Sequence, residues 1–172
     1  MTKPKPPSQP ECRWIADCVE MCAGDPVAVI ENGVEACFDN PRQSTIRKIY
    51  YDDCYCKDRA LLKADYVVGF AEVLDVIVEL KGSDLDHAYA QVEHTLERWK
   101  TDAKRYRGVA CLIVHTRREA TLRKARILPR WQSRIGNAER RFLRTNKALL
   151  LIRESGAQRF KLNDFLRTNN DR

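Results

Sequence analysis

The stretch Val73–Trp99 reads VLDVIVELKGSDLDHAYAQVEHTLERW, and it contains a strand, a break and a helix in that order. Residues 73–81 are almost wholly apolar, which is typical of a strand buried on both faces. Gly82 breaks the strand, and Ser83 followed by Asp86 resembles the start of a capped helix. Apolar residues at three- and four-residue steps then predict a helix packed on a sheet, namely Leu85, Ala88, Tyr89, Val92, Leu96 and Trp99.

Toward the N-terminus, the patterns predict a helix followed by four strands. The helix is expected over Glu11–Cys22, where apolar residues recur at helical spacing until Gly24-Asp25-Pro26 stops it. The strands are expected at 27–31 and 34–38, joined as a hairpin by Asn32-Gly33, and then at Thr45–Asp52 and Ala64–Phe70.

Toward the C-terminus, we expect a buried strand at 109–114 (VACLIV), a helix from about Pro129 to Thr145, and a last strand at Ala148–Ile152. Buried strands with a helix between them predict the α/β (α+β) class, with a mixed central β-sheet flanked by helices. The 172 residues fit one domain, expected over residues 11–172 after a flexible Pro-rich tail at residues 1–10.

The composition favours a soluble protein of the cytoplasm. The longest strictly apolar run, residues 109–114, is too short to cross a bilayer, and no secretory signal is visible behind Met1. The cysteine number, seven, is odd, so free thiols in a reducing compartment are the simplest interpretation. Zinc binding by the pairs Cys18/Cys22 and Cys54/Cys56 is the weaker alternative, because a zinc site needs about four ligands.

Positive charge is concentrated in one part of the chain. Of the formal net charge of +7, the segment from Arg117 to Lys147 contributes eleven Lys or Arg residues against two acids. A local excess of this kind is typical of a surface that binds phosphate backbones, although a solvated helix face is the alternative.

The chemistry-bearing residues lie at the end of the apolar strand. Side chains alternate along a strand, so Glu79 and Lys81 share one face. Asp65 lies in the preceding strand, and a hairpin would bring it near Glu79. Two carboxylates and a lysine at a strand end suit a divalent cation that activates water against a phosphodiester, with lysine supplying positive charge.

The segment from about Ile49 to Trp99 resembles the core of the PD-(D/E)XK nuclease superfamily, whose motif is a strand with aspartate, a strand ending E-x-K-G and a helix with glutamine. The resemblance implies a restriction-endonuclease-like sheet of four or five strands with flanking helices. By it, Asp65, Glu79 and the Leu80 carbonyl would bind Mg²⁺ or Mn²⁺, Lys81 would be the catalytic lysine, and Gln91 would lie beside the site. An N-terminal acid often joins such sites, and Glu11 and Glu20 are the candidates.

The resulting expectation is a metal-dependent endonuclease that hydrolyses nucleic acid, DNA more than RNA, with a homodimer as one arrangement. Two alternatives stay open. A Holliday-junction-resolvase-like enzyme would prefer four-way junctions, whereas an inactive nucleic-acid-binding or assembly module would bind without cutting.

Overall fold

The structure, a computed structural model, describes residues 12–52, 54–71, 73–102, 108–116, 131–134, 140–144, 149–156 and 159–166. The N-terminal tail expected at residues 1–10 lies outside these ranges. The elements in chain order are β1 (Cys12–Ala16), β2 (Val19–Cys22), β3 (Val27–Glu31), β4 (Val34–Phe38), β5 (Ile46–Tyr50), β6 (Tyr66–Phe70), β7 (Leu74–Lys81), α1 (Leu85–Asp102), β8 (Gly108–His115), β9 (Trp131–Arg134), β10 (Arg140–Arg144), β11 (Leu149–Glu154), β12 (Arg159–Phe160) and a short 3₁₀ helix (Leu162–Phe165).

Most of the described strands belong to one large mixed sheet. Its strand order is β1-β2-β5-β6-β7-β8-β11-β10-β9. Strands β5, β6 and β7 form an antiparallel meander, whereas β7, β8 and β11 run parallel. The mixed α/β class predicted from the sequence is confirmed, but nine of the described strands belong to this sheet, rather than the four or five expected.

The connection from β7 to the parallel strand β8 runs through α1. Parallel neighbours need such a crossover, and Gly82 with the residues after it provides the break between strand and helix. The helix begins at Leu85, and the Asp84 carboxylate accepts the N–H of His87 at 3.0 Å. Asp84, rather than Ser83, therefore caps the first turn.

Two cores cover the two faces of the large sheet. On one face, the whole apolar stripe predicted for the helix is buried against the sheet, from Leu85 to Trp99. On the other face, a small sheet of order β12-β4-β3 and Phe165 of the 3₁₀ helix pack instead. The expectation of a sheet flanked by helices holds for the face that α1 covers, whereas among the described residues a second layer of strands and the short 3₁₀ helix bury the opposite face.

The β3–β4 hairpin is confirmed. Asn32 and Gly33 both have positive φ, 49° and 79°, which is the conformation that a two-residue primed turn requires. Glu31 pairs with Val34 across the turn.

The helix expected over Glu11–Cys22 is wrong for the described residues 12–22. They form the antiparallel β1–β2 hairpin, and β2 pairs with β5. The apolar residues of this segment are compatible with either a helix or a strand. Pairing with the neighbouring strand β5 makes it a strand. Cys22, for example, pairs in register with Ile46 and joins the core between the two sheets.

The helix expected from Pro129 to Thr145 is also wrong where it is described. Residues 131–134 and 140–144 are the antiparallel strands β9 and β10, and β10 pairs with β11. The free edge of β11 accounts for this, because a strand beside it satisfies backbone groups that a helix would leave unpaired. The remainder of the basic segment lies outside the described residues.

The expectation that the cysteines are free thiols is wrong for Cys18, Cys22 and Cys54. Cys18 and Cys54 form a disulfide with a Cα–Cα distance of 5.5 Å, and Cys22 is disulfide-bonded as well. Free thiols are described at Cys37, Cys56 and Cys111. The disulfide joins residues 36 positions apart, and the spacing of the cysteines along the chain gave no indication of this pairing.

Among the described helices, none combines the length and apolar character needed to cross a membrane.

Candidate metal site

The predicted carboxylates meet where β6 begins and β7 ends. Tyr66 pairs with Val78, so continuing the antiparallel register by one residue brings Asp65 opposite Glu79. Side chains directly opposite have Cβ atoms roughly 5 Å apart. Asp65 lies just before β6 rather than within it, and its Oδ2 accepts the Leu80 N–H at 2.7 Å.

The two acids and the lysine lie on the side of the sheet that α1 covers. Ile77 belongs to the core beneath the helix, and Glu79 and Lys81 follow it at steps of two residues. Val67 belongs to the same core, so Asp65, two residues earlier, faces the same way. The three groups therefore lie on one face of the sheet.

Gln91 of α1 connects the lysine to the loop before β6. The Lys81 Nζ donates to Gln91 Oε1 at 3.2 Å, and Gln91 Nε2 donates to the Lys63 carbonyl at 2.7 Å. The amide is thereby held in one orientation, with its oxygen toward the ammonium. Lys81 Nζ also lies 3.9 Å from Glu79 Oε1, so the ammonium contacts both the acid and the amide.

The electrostatics of the two acids are dominated by burial. Glu79 is only 1% exposed, and desolvation followed by the nearby Asp65 raises its pKa from 4.5 to about 9, although Lys81 opposes the shift. Burial also raises the pKa of Asp65 to about 7, against the Leu80 hydrogen bond that lowers it. Both acids therefore hold protons more strongly in the fold than in water, which is a cost unless a positive charge compensates.

One oxygen of the site has no partner. Glu79 Oε2 is buried and makes no hydrogen bond to any part of the chain that the structure describes, whereas buried carboxylate oxygens are normally satisfied. A bound cation would satisfy this oxygen and would lower the cost of keeping two carboxylates together. The Leu80 carbonyl lies at the same strand edge as its N–H, because both groups of one strand residue point to the same side.

The loop between β5 and β6 adds two charged residues that the sequence analysis did not assign to the site. The Lys63 Nζ lies 3.0 Å from Asp52 Oδ1, and the negative charge of Asp52 contributes to the raised pKa values of both Asp65 and Glu79. Lys63 is buried. The position of Lys63, two residues before Asp65, was the available signal, since alternate residues of an extended segment face the same side.

His115 was also missed. It ends β8 in register with Lys81, and it is buried on the same side of the sheet as Cys111 and Ile113. Like Lys81, it is the polar last residue of an apolar strand, which was the signal in the sequence.

Of the two N-terminal acids that the resemblance offered, Glu20 is not at the site. Glu20 is fully buried but forms an ion pair with Lys48 at 2.8 Å and accepts the Tyr50 hydroxyl. Lys48 pairs with Val68, a residue of the core between the two sheets, so this acid faces away from α1. Glu11 lies outside the described residues.

The residues fit a divalent cation most of whose ligands are water molecules or substrate oxygens rather than protein side chains. Within the described ranges, no three His, Cys, Asp or Glu side chains are grouped so as to hold a metal ion by themselves. Mg²⁺ does not need such a group, because it keeps several waters and uses one or two carboxylates together with substrate phosphates. Asp65 and Glu79 supply that number.

Comparison with known proteins found no match to this chain among protein-family models, curated proteins or solved structures.

Proposed function

We propose that this protein is a metal-dependent nuclease, an endonuclease that hydrolyses phosphodiester bonds and acts on DNA more than RNA. The observation that carries the proposal is the orphaned Glu79 Oε2, buried opposite Asp65 and beside Lys81. A buried acid next to a partly buried one, beside a half-buried ammonium, is costly without a ligand, and a Mg²⁺ or Mn²⁺ ion with a phosphate is the ligand that compensates it.

The residues of the site have separate tasks in this proposal. Asp65, Glu79 and the Leu80 carbonyl hold the cation, which supplies an activated water and neutralises charge on the phosphate. Lys81 presents a compact positive charge to the attacking water or the phosphate oxygens. Gln91 keeps that ammonium in place through its own bond to the Lys63 carbonyl.

The arrangement of strands supports a restriction-endonuclease-like core within the larger sheet. The meander β5–β6–β7, the helix α1 and the parallel strand β8 follow one another as the resemblance requires, with the acids at the meander's end. The N-terminal hairpin and the β9–β10 hairpin would be additions to either edge.

The basic segment is proposed to hold the nucleic-acid backbone. Its strand β10 is the third strand from β7, about 14 Å away at the usual strand spacing. That separation is within the width of a duplex, so the same substrate can contact both the site and this strand. A homodimer would supply two such sites for cutting both strands.

The cytoplasmic location stays a prediction, and one of the observations on which it depended no longer holds. It depended partly on free thiols, and the disulfides at Cys18–Cys54 and Cys22 are of the kind that persist in oxidising compartments. Alkylation of thiols in intact cells before purification would decide it, since cytoplasmic protein would carry modified Cys18 and Cys54.

The proposal is tested by incubating the protein with plasmid and oligonucleotide DNA in Mg²⁺ or Mn²⁺. We expect cleavage that stops on chelation, that falls at least 100-fold in Glu79→Ala and Asp65→Ala, and that is lost in Lys81→Ala while metal binding is kept. Glu35→Gln, an exposed acid of the small sheet, is the control and should cleave normally.

Cleavage that persists in both Glu79→Ala and chelator would refute the assignment. Binding of DNA that needs neither acid nor metal, without cutting, would instead identify an inactive binding module.

A further inference from the structure

The β5–β6 loop, residues 51–65, begins and ends at the candidate site. Near its start, the backbone N–H groups of Tyr51 and Asp52 donate to the Asp65 carbonyl at 2.9 and 3.4 Å. Near its end, the Lys63 carbonyl accepts from Gln91, and the Lys63 ammonium returns to Asp52. The two ends of the loop therefore lie beside the site, and the exposed residues between Asp52 and Lys63 lie on the segment that joins these ends.

Tyr55 is a half-exposed aromatic ring on this loop. It is 49% exposed, yet its ring stacks on Tyr51 at a centroid distance of 5.7 Å and an interplanar angle of 24°. The ring also contacts Trp99 of α1 at 5.8 Å. Because Tyr51 and Trp99 are both buried, Tyr55 extends a rigid aromatic stack outward into solvent.

The backbone around Tyr55 is fixed as well. Its N–H donates to the Tyr50 carbonyl at 3.0 Å, and the Cys56 N–H donates to Tyr51 at 2.9 Å. The preceding described residue, Cys54, is tied by its disulfide to the β1–β2 turn. A ring held in this way loses little conformational entropy when a ligand stacks on it.

The surroundings of Tyr55 suit a nucleic-acid strand. Lys57 and Arg59 follow it on the same loop, with Asp58 between them, and all three are exposed, so this short stretch is net positive beside the ring, as phosphate binding requires. Tyr55 is three residues from Asp52, so its backbone is at most about 10 Å from that residue. The ring contacts Trp99, which donates to Asp75, four residues or about 13 Å before Glu79 along β7, so the ring lies on the order of two nucleotides from a phosphate held at the site.

We propose that Tyr55 stacks on an unpaired nucleobase one or two nucleotides from the phosphate that is cut, so that the substrate class is single-stranded nucleic acid or an unpaired stretch beside a duplex. The inference rests on the proposed function for the position of that phosphate. Stacking on a protein ring requires a base whose own face is free, which bases inside a continuous duplex do not offer.

The test measures binding without cleavage, in chelator, using a short oligothymidylate that carries a single 2-aminopurine. Stacking on Tyr55 should quench the 2-aminopurine fluorescence, and a matched blunt duplex should bind more weakly. Tyr55→Leu keeps apolar packing over Tyr51 and Trp99 but removes the π face. We expect it to weaken oligonucleotide binding roughly ten-fold and to abolish the quenching.

Two further variants separate stacking from other causes. Tyr55→Phe keeps the ring and should bind and quench as the wild type does. Val73→Ala removes an equally exposed apolar side chain at the opposite end of β7 and should change neither quantity. Equal affinity of wild type and Tyr55→Leu, or quenching that survives in Tyr55→Leu, would overturn the inference.

Failure of the inference can be distinguished from failure of the proposed function. If Tyr55 does not stack but the protein is a nuclease, metal-dependent cleavage persists while the binding experiment shows no effect of Tyr55→Leu. If the protein is not a nuclease, Tyr55-dependent quenching persists while no metal supports cleavage.

Discussion

Replacing Glu79 with glutamine should stabilise the metal-free protein at neutral and alkaline pH. Burial and the adjacent Asp65 raise the pKa of Glu79 from 4.5 to about 9. The folded state therefore binds a proton that the unfolded state has released, and stability falls as pH rises from about 4.5 to about 9. Glutamine does not titrate, so the variant does not lose this part of the stability as pH rises.

The size of the effect follows from the width of that window. Each pH unit inside it costs about 1.4 kcal/mol of the free energy of unfolding, so the interval between pH 5 and pH 8 costs roughly 4 kcal/mol. The difference in stability between Glu79→Gln and wild type should grow by that amount over the interval. Groups that do not interact with Glu79 titrate alike in both proteins and cancel in the difference, whereas the contribution of Asp65, which interacts with Glu79, is part of the measured effect.

The assay is urea denaturation of both proteins in chelator at several values between pH 5 and pH 8. Asp75→Asn is the matched control, because Asp75 lies on the same strand and is buried but is paired with Arg47 at 2.9 Å and with Trp99 at 3.1 Å. The free energy of unfolding of Asp75→Asn should be lower by about 3 kcal/mol, because the substitution breaks the ion pair with Arg47. A stability difference between Glu79→Gln and wild type that stays flat, or that shrinks as pH rises, would refute the electrostatic reasoning.

Three other outcomes follow from particular contacts. Gln91→Ala should slow cleavage about ten-fold without changing metal affinity measured by calorimetry, since it frees Lys81 and removes no ligand; a matching loss of metal affinity would contradict this. Cys54→Ser should lower the free energy of unfolding by roughly 4 kcal/mol, because the link to Cys18 closes a loop of 36 residues, and the difference between wild type and variant in urea denaturation should vanish when both are measured in reductant, which also breaks the disulfide of Cys22. Gly69→Ala should lower the thermal midpoint by several degrees, because its Cβ would lie 2.9 Å from a carboxylate oxygen of the next strand; an unchanged midpoint would show that the neighbours yield.

Local patterns predicted the centre of the fold well. The β7 strand, the Gly82 break and the helix stripe all appear where the sequence places them, because each depends on periodicity within a few residues. The hairpin at Asn32-Gly33 was predictable for the same reason, since a primed turn is specified by the two residues that form it.

The edges of the sheet were not predictable in this way. The segments expected as helices at Glu11–Cys22 and Pro129–Thr145 have mixed patterns, and their described parts are strands because β5 and β11 offer unpaired edges. The second, three-stranded layer and the Cys18–Cys54 link also depend on partners far along the chain. Such contacts leave no periodic trace in either partner.

The same division holds for the candidate site. By itself, the sequence determined that Glu79 and Lys81 emerge on one face of a buried strand and that Gln91 follows on a helix, because alternation and helical spacing are properties of the local backbone. Only the tertiary structure decided that Asp65 lies opposite Glu79, that Asp52 and Lys63 join them, and that Glu20 faces the other core. Strand pairing and burial set those positions, and they exist only once distant segments have packed together.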